Sequence, residues 1–315
     1  MKRNATAVVF ESPGSLSLRD VGLPAMTAGD CVVDVEWTGI STGTERLLWD
    51  GRMPPFPGLA YPLVPGYETV GVVTEVTPGC GLAKGQRVFI PGSRGFTNVH
   101  GLFGGAARTL VVPASKAVPI EAHCHAESVL LALSATACRI ISQFPDNQGP
   151  DLIIGYGVLG RLVSRICHAI HGQSPTVWEK NPARRDDPLD QNAIDPLADE
   201  HRQYRRICDV SGSVDALNSA IQHAASGAQI VLGGFYAQPV TFDFPAAFMR
   251  EISIKISAEW QAEDIAKAQT LISTNALSLS GLVTHDLPAQ AAQSAYETAF
   301  NDPTCLKMVL DWRAL

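Results

Sequence analysis

The sequence predicts an α/β protein: a β-rich first domain followed by a doubly wound parallel sheet. Three observations carry this. Over roughly the first 115 residues, short β-branched runs are separated by Gly- and Pro-bearing turns. After residue 150, strand and helix patterns alternate. At the start of that alternation stands Gly155-Tyr156-Gly157-Val158-Leu159-Gly160, placed between an apolar strand and an amphipathic helix.

The β runs are residues 5–10, 31–37, 70–76, 87–90 and 109–112. The turns between them include Pro13-Gly14, Gly29-Asp30, Pro78-Gly79, Gly85-Gln86 and Pro91-Gly92. Strands this short with turns this regular predict a small barrel or sandwich. Helical periodicity begins after Pro119 and runs through Leu130, Leu131, Leu133 and Ile140. The alternation then reads as strand 151–155, helix 161–170 and strand 176–179, with further strands at 206–210, 229–233 and 252–256. Residues 181–204 are polar and Pro-rich and read as a loop-rich part of the sheet domain. The last segment holds helical patterns at 262–274 and 289–300 and a strand at 307–311. Pattern alone leaves open whether it completes the second domain or returns to the first. The expected division is 1–118, 119–258 and 259–315.

Composition narrows the function. The 315 residues carry a formal charge of −7, which argues against a nucleic-acid groove, since that needs a basic stripe. Seven scattered cysteines, none in a C-x-x-C pair, predict neither a disulfide framework nor a Cys-rich zinc lobe. They fit reduced thiols in a cytoplasmic protein. The N-terminal apolar run is too short for a secretory signal, and the longest apolar stretch, 129–144, is too short and polar to span a bilayer.

The glycine motif carries the clearest chemistry. Gly155 permits the tight turn, Gly157 lets the backbone approach a pyrophosphate, and Gly160 lets helix and strand pack closely. Val158 and Leu159 open the helix whose N–H groups would face the phosphates. Glu179 ends the next strand, 19 residues after Gly160, where a carboxylate accepts ribose hydroxyls and repels a 2′-phosphate. NAD is therefore expected over NADP, although Lys180, Arg184 and Arg185 stand nearby. Ser211 and Gly233 follow later strands, at the strand ends that line the ligand crevice of such sheets.

Val64-Pro65-Gly66-Tyr67-Glu68, Lys84-Gly85-Gln86-Arg87-Val88 and Gly104-Gly105-Ala106-Ala107 resemble the medium-chain dehydrogenase/reductase superfamily. The resemblance covers nearly the whole chain. It implies a GroES-like first domain, a Rossmann domain, and a C-terminal segment that rejoins the first domain. Longer runs are similar to the bacteriochlorophyllide a dehydrogenase family: residues 39–45, 53–58, 61–68, 101–106, 178–185, 258–261 and 305–312. That likeness implies NAD-dependent oxidation of a 3-(1-hydroxyethyl) group on a chlorin to 3-acetyl. It also implies a homo-oligomer with no integral membrane segment. Within the superfamily, a quinone or enoyl reductase and a catalytically silent dinucleotide-binding protein are the competing readings.

Zinc-dependent members of the superfamily carry a Cys and a His where this chain has Ser41 and Tyr67. A catalytic zinc wants three Cys, His, Asp or Glu ligands, so no metal is expected. In its place, Ser41, Thr44 and Tyr67 are expected to line the reacting oxygen, with Glu45 or Glu68 behind them. Alternatively, Tyr67 fills the space of the metal and the hydroxyls serve a Gly-rich turn. Trp49, Phe56, Tyr61 and Phe103 are candidate walls for a flat macrocycle. His123-Cys124-His125 and His100 lack metal-site spacing.

Overall fold

A computed structural model describes residues 3–55, 57–121, 125–145, 148–187, 189 and 193–315. The chain divides into a first unit, Met1–Ala132 with Leu279–Leu315, and a second, Leu133–Ser278.

The first unit is built on strand Asp30–Ile40, which is buried along most of its length and pairs antiparallel with three others. Thr69–Val76 and Thr109–Pro113 flank one part of it. The C-terminal strand Met308–Asp311 flanks the rest, with Met308 opposite Ile40 and Asp311 opposite Trp37. Arg87–Ile90, Val118–Pro119 and His285–Pro288 complete a seven-stranded sheet. A smaller sheet runs in the order Ser15–Gly22, Asn4–Ser12, Leu63–Pro65, His100–Leu102. Val8, Phe10, Leu63, Val88, Ile90 and Leu310 are sealed between them. Trp312 is fully buried, and its indole N–H donates to Thr38 Oγ1 at 2.9 Å. The C-terminal segment is thus an integral strand of the first unit.

The second unit is a six-stranded, all-parallel sheet. Its order is Ala193–Ile194, Thr176–Trp178, Leu152–Ile154, Tyr204–Asp209, Ala224–Leu232, Ser253–Ile256. In chain order that is 3-2-1-4-5-6, the doubly wound arrangement whose ligand crevice opens at the carboxyl ends of the strands. Leu152–Ile154 is buried throughout, as a central parallel strand must be. Helix Val158–His171 follows it directly and stops at Gly172, which takes a left-handed φ of 63°.

The structure differs from the sequence expectations in places. Ser15–Gly22 is a mostly half-exposed strand without clear alternation, and Leu63–Pro65 and His100–Leu102 are only three residues long, so none carries a period. Ala224–Leu232 begins earlier than the apolar run at 229. Residues 181–204 contribute the edge strand Ala193–Ile194. The units part at Leu133 and Leu279 rather than at 119 and 259. Val129 lies against Gly39 of the first unit, whereas Arg165 of helix Val158–His171 donates to Ser278 O at 3.0 Å. Among the described residues, no helix is long and apolar enough to cross a membrane.

Candidate active site and cofactor site

In the first unit, strand Asp30–Ile40 ends in the turn that starts helix Thr44–Trp49, and Gly66-Tyr67-Glu68 leads into strand Thr69–Val76. The turn and the loop place their hydroxyls together. Ser41 Oγ and Tyr67 Oη share a hydrogen bond of 2.8 Å. Thr44 N–H points to Ser41 Oγ at 3.3 Å. Burial, and then the charge of Glu68, push the Tyr67 phenol well above its ordinary range, so it stays protonated. The Phe103 ring meets the Tyr67 ring edge-on at 5.6 Å.

Two carboxyls lie behind this trio, in different states. Glu68 is fully buried and takes hydrogen bonds from Lys307 Nζ at both oxygens, 2.9 and 2.7 Å. The third donor direction of that ammonium goes to Ile40 O at 3.2 Å. Glu45 is equally buried but has no cation bonded to it. It accepts from Ser41 N–H at 3.1 Å and from Tyr296 Oη at 2.6 Å. Burial raises its pKa to about 7, against the pull of those two hydrogen bonds. Lys307 and Tyr296 were not singled out in the sequence. The readable signal for Lys307 is one lysine opening the apolar run Met308–Leu310.

The donor set here does not suit zinc. It offers three hydroxyls, one carboxyl bonded to Ser41 N–H and Tyr296, and one carboxylate whose oxygens are both held by an ammonium. Among the described residues, no group of three or more His, Cys, Asp or Glu is placed to hold a metal.

In the second unit the fingerprint forms a built turn. Gly155 has φ +98°, and a Cβ there would lie 2.9 Å from Ser211 Cα. A Cβ on Gly160 would lie 2.0 Å from Gly155 O, so only glycine lets the helix approach the strand. Above Gly157 the space is open, with no heavy atom within 4 Å of a Cβ position, as a phosphate-binding turn requires. Glu179 bridges the turn, accepting from Tyr156 N–H at 3.0 Å and from Asn181 N–H at 2.8 Å. Val158 is buried and Leu159 half-buried at the helix start. Ser211 folds onto Asp209, whose Oδ1 takes both its N–H and its hydroxyl. Gly233 N–H closes on Asp209 O at 2.8 Å. The fingerprint glycines, Glu179 and Ser211 are therefore brought together, and Gly233 lies beside them. These residues fit a dinucleotide.

The candidate macrocycle walls are split. Phe103 stands at the hydroxyl trio. Trp49 is half-buried and packs against the first core, edge-on to Phe10 at 5.5 Å and 6.4 Å from Phe300. Tyr61 donates its hydroxyl to Leu48 O. Phe56, His123 and Cys124 lie outside the described residues. His100 and His125 are exposed. The other six cysteines are buried and form no disulfide, and burial pushes Cys138 up to about 11.

A GroES-like β unit with a hydroxyl–carboxyl cluster and a Rossmann unit with a complete glycine fingerprint define an oxidoreductase of the alcohol dehydrogenase type. Residues 27–122 match the alcohol dehydrogenase GroES-like domain. The chain is 48% identical over 314 residues, 98% of each chain, to 2-desacetyl-2-hydroxyethyl bacteriochlorophyllide A dehydrogenase of Cereibacter sphaeroides. It is 48% identical to the protein of that name from Rhodobacter capsulatus, over 97% of this chain and 98% of the relative. The chain belongs to the bacteriochlorophyllide dehydrogenase family. In fold it is similar to L-idonate 5-dehydrogenase of Escherichia coli, with TM-score 0.86, 17% identity and 99% of each chain covered. It is also similar to an Escherichia coli alcohol dehydrogenase solved with NADH, with TM-score 0.85, 22% identity, and 98% and 99% covered.

Removing one partner of the buried pair leaves the other charged and unsolvated. Lys307→Met is expected to lose about 3–5 kcal/mol in urea unfolding, and adding Glu68→Leu to recover much of it. Glu45 makes stability depend on pH with a defined sign. Its carboxyl ionises near 4.5 when exposed and near 7 when folded. The folded state holds the extra proton between those values, so stability falls as pH rises from 4.5 to about 7 and is flat above. Relative to Glu45→Gln, the wild type should lose on the order of 3 kcal/mol across that window. Parallel stability curves would show that Glu45 is already charged when buried.

Proposed function

We propose that this chain oxidises the 1-hydroxyethyl side chain of a bacteriochlorophyllide to an acetyl group, with NAD as acceptor and without a catalytic metal. The observation that carries the reading is the full-length likeness to two proteins named for that substrate. The first unit is assigned the pigment, and the second the cofactor. When bound, NAD supplies the acceptor for the carbinol hydride.

The remaining chemistry falls to the chain's own side chains. Tyr67, held as a phenol, donates to the reacting oxygen as charge builds there, and the carbinol proton passes to Glu45, the carboxyl near 7 behind the Ser41 turn. Ser41, itself held by the Thr44 N–H, fixes the direction of that phenol. Phe103 keeps the apolar side of Tyr67 covered, which suits a flat chlorin. Glu68 is withheld from acid–base work by Lys307. Conjugation of the new carbonyl with the macrocycle lightens the demand on these donors. On the cofactor side, the Glu179 carboxylate favours a ribose with free hydroxyls over one with a 2′-phosphate.

Six buried cysteines outside any disulfide support a reducing, cytoplasmic setting. A homo-oligomer is supported by the open sheet edge Ser253–Ile256, beside which Phe244, Phe248, Met249 and Ile256 are between 64% and 76% exposed.

The test follows the pigment. Hydroxyethyl bacteriochlorophyllide and NAD, mixed with enzyme, should show a shift of the long-wavelength absorption band together with NADH formation. An unchanged spectrum at high enzyme would sink the reading. Tyr67→Phe should lower kcat about a hundredfold while NADH binding is retained. Unchanged turnover would remove Tyr67 from the chemistry.

A further inference from the structure

The segment after Glu179 poses a question of charge. Lys180, Arg184 and Arg185 follow a carboxylate that rejects a 2′-phosphate, although arginines are the side chains that would accept one. The geometry accounts for Arg185. Its Nε–H donates to Glu179 O at 2.7 Å, so the guanidinium lies along the backbone of the ribose-facing residue. Its Nη2 donates to Lys180 O at 2.9 Å and to Asp195 Oδ2 at 2.7 Å. Three acceptors therefore share the guanidinium, one of them charged.

Asp195 is itself fixed. It caps the short turn Pro196–Ala198, with Oδ1 accepting Leu197 N–H at 2.9 Å. That hydrogen bond, and then the Arg185 guanidinium, hold its carboxyl below the usual range, so it is charged at working pH. The neighbouring chain is also anchored. Arg161 Nη2 donates to Arg184 O at 2.8 Å and to Asp186 O at 3.2 Å, which ties this loop to the first turn of helix Val158–His171.

We infer that Asp195 is a specificity-determining residue for the cofactor: by holding Arg185 it withholds the cation that a 2′-phosphate would need. Rejection of the phosphorylated cofactor is thus divided between Glu179, which repels, and Asp195, which removes an attraction. This rests on the NAD reading above and extends it to a residue outside the glycine fingerprint. Asp195 acts through Arg185 and is a positioning residue.

The experiment uses the adenosine half of each cofactor as probe, 5′-AMP against 2′,5′-ADP, titrated by calorimetry. Asp195→Asn keeps a capping oxygen while removing the charge, and Asp195→Ser is a second variant with the same property. Both are made in a Glu179→Gln background, where 2′-phosphate repulsion is relieved. Releasing Arg185 should tighten 2′,5′-ADP by about fivefold, the scale of one partly exposed ion pair, with 5′-AMP unchanged. Adding Arg185→Ala should abolish the gain, and NADPH binding followed by nicotinamide fluorescence should move in parallel. Unchanged 2′,5′-ADP affinity with 5′-AMP still bound would overturn the inference alone. So would a gain that survives Arg185→Ala. A wild type that binds neither 5′-AMP nor NADH would overturn the NAD reading, and the inference with it.

Discussion

The first unit is organised around one buried charge pair, Lys307 with Glu68. Taking an ammonium and a carboxylate out of water costs several kcal/mol each, and the cost is recovered only if each finds near-complete hydrogen bonding. Here the lysine's three donor directions meet both oxygens of Glu68 and the carbonyl of Ile40. Those acceptors belong to the approach to strand Thr69–Val76 and the end of strand Asp30–Ile40, while the lysine precedes strand Met308–Asp311. Three chain segments must therefore be in register before any one of the charges is satisfied. The same pair sets the electrostatics nearby. The charge of Glu68 helps keep Tyr67 a phenol and raises Glu45, while Lys307 pulls Glu45 back.

What could be read from the sequence follows from how local each feature is. The second unit was legible because its determinants are neighbours in the chain. Gly160 is demanded by the backbone of Gly155 five residues before it, and strand, turn and helix are contiguous. Glu179 sits at a fixed distance along one βαβ step. In the first unit, Ser41, Thr44 and Tyr67 could be named because departures from a metal-binding pattern stand out. Their partners could not. Tyr296 lies 251 residues from the carboxyl it bonds, and Lys307 lies 239 from Glu68. Nothing in local periodicity marks a tyrosine on helix Ala292–Asn301 as the partner of a turn near residue 45. Trp49 shows the converse ambiguity. Its aromatic character suits a pigment wall as well as it suits a core, and its half-buried ring packs against Phe10 and Phe300 at the edge of the core.

The two units share one method of controlling charge. Each holds an acidic group at or behind its candidate site and fixes it through partners on other turns or strands. Glu68 is neutralised by Lys307, and Glu179 is oriented by the backbone N–H groups of Tyr156 and Asn181. On the proposed reading, the face that the first unit offers an alcohol consists of neutral hydroxyls. That matters for an alcohol losing hydride. Its oxygen begins neutral and gains negative character only if its proton leaves early, so a donor held neutral stabilises the developing charge without binding the starting alcohol too tightly. On the same reading the departing proton goes to Glu45, which lies behind the hydroxyls on the Ser41 N–H. The burial of Glu68 under its lysine, and the nearly neutral pKa of Glu45, are therefore the conditions under which Ser41, Thr44 and Tyr67 can act as donors at all.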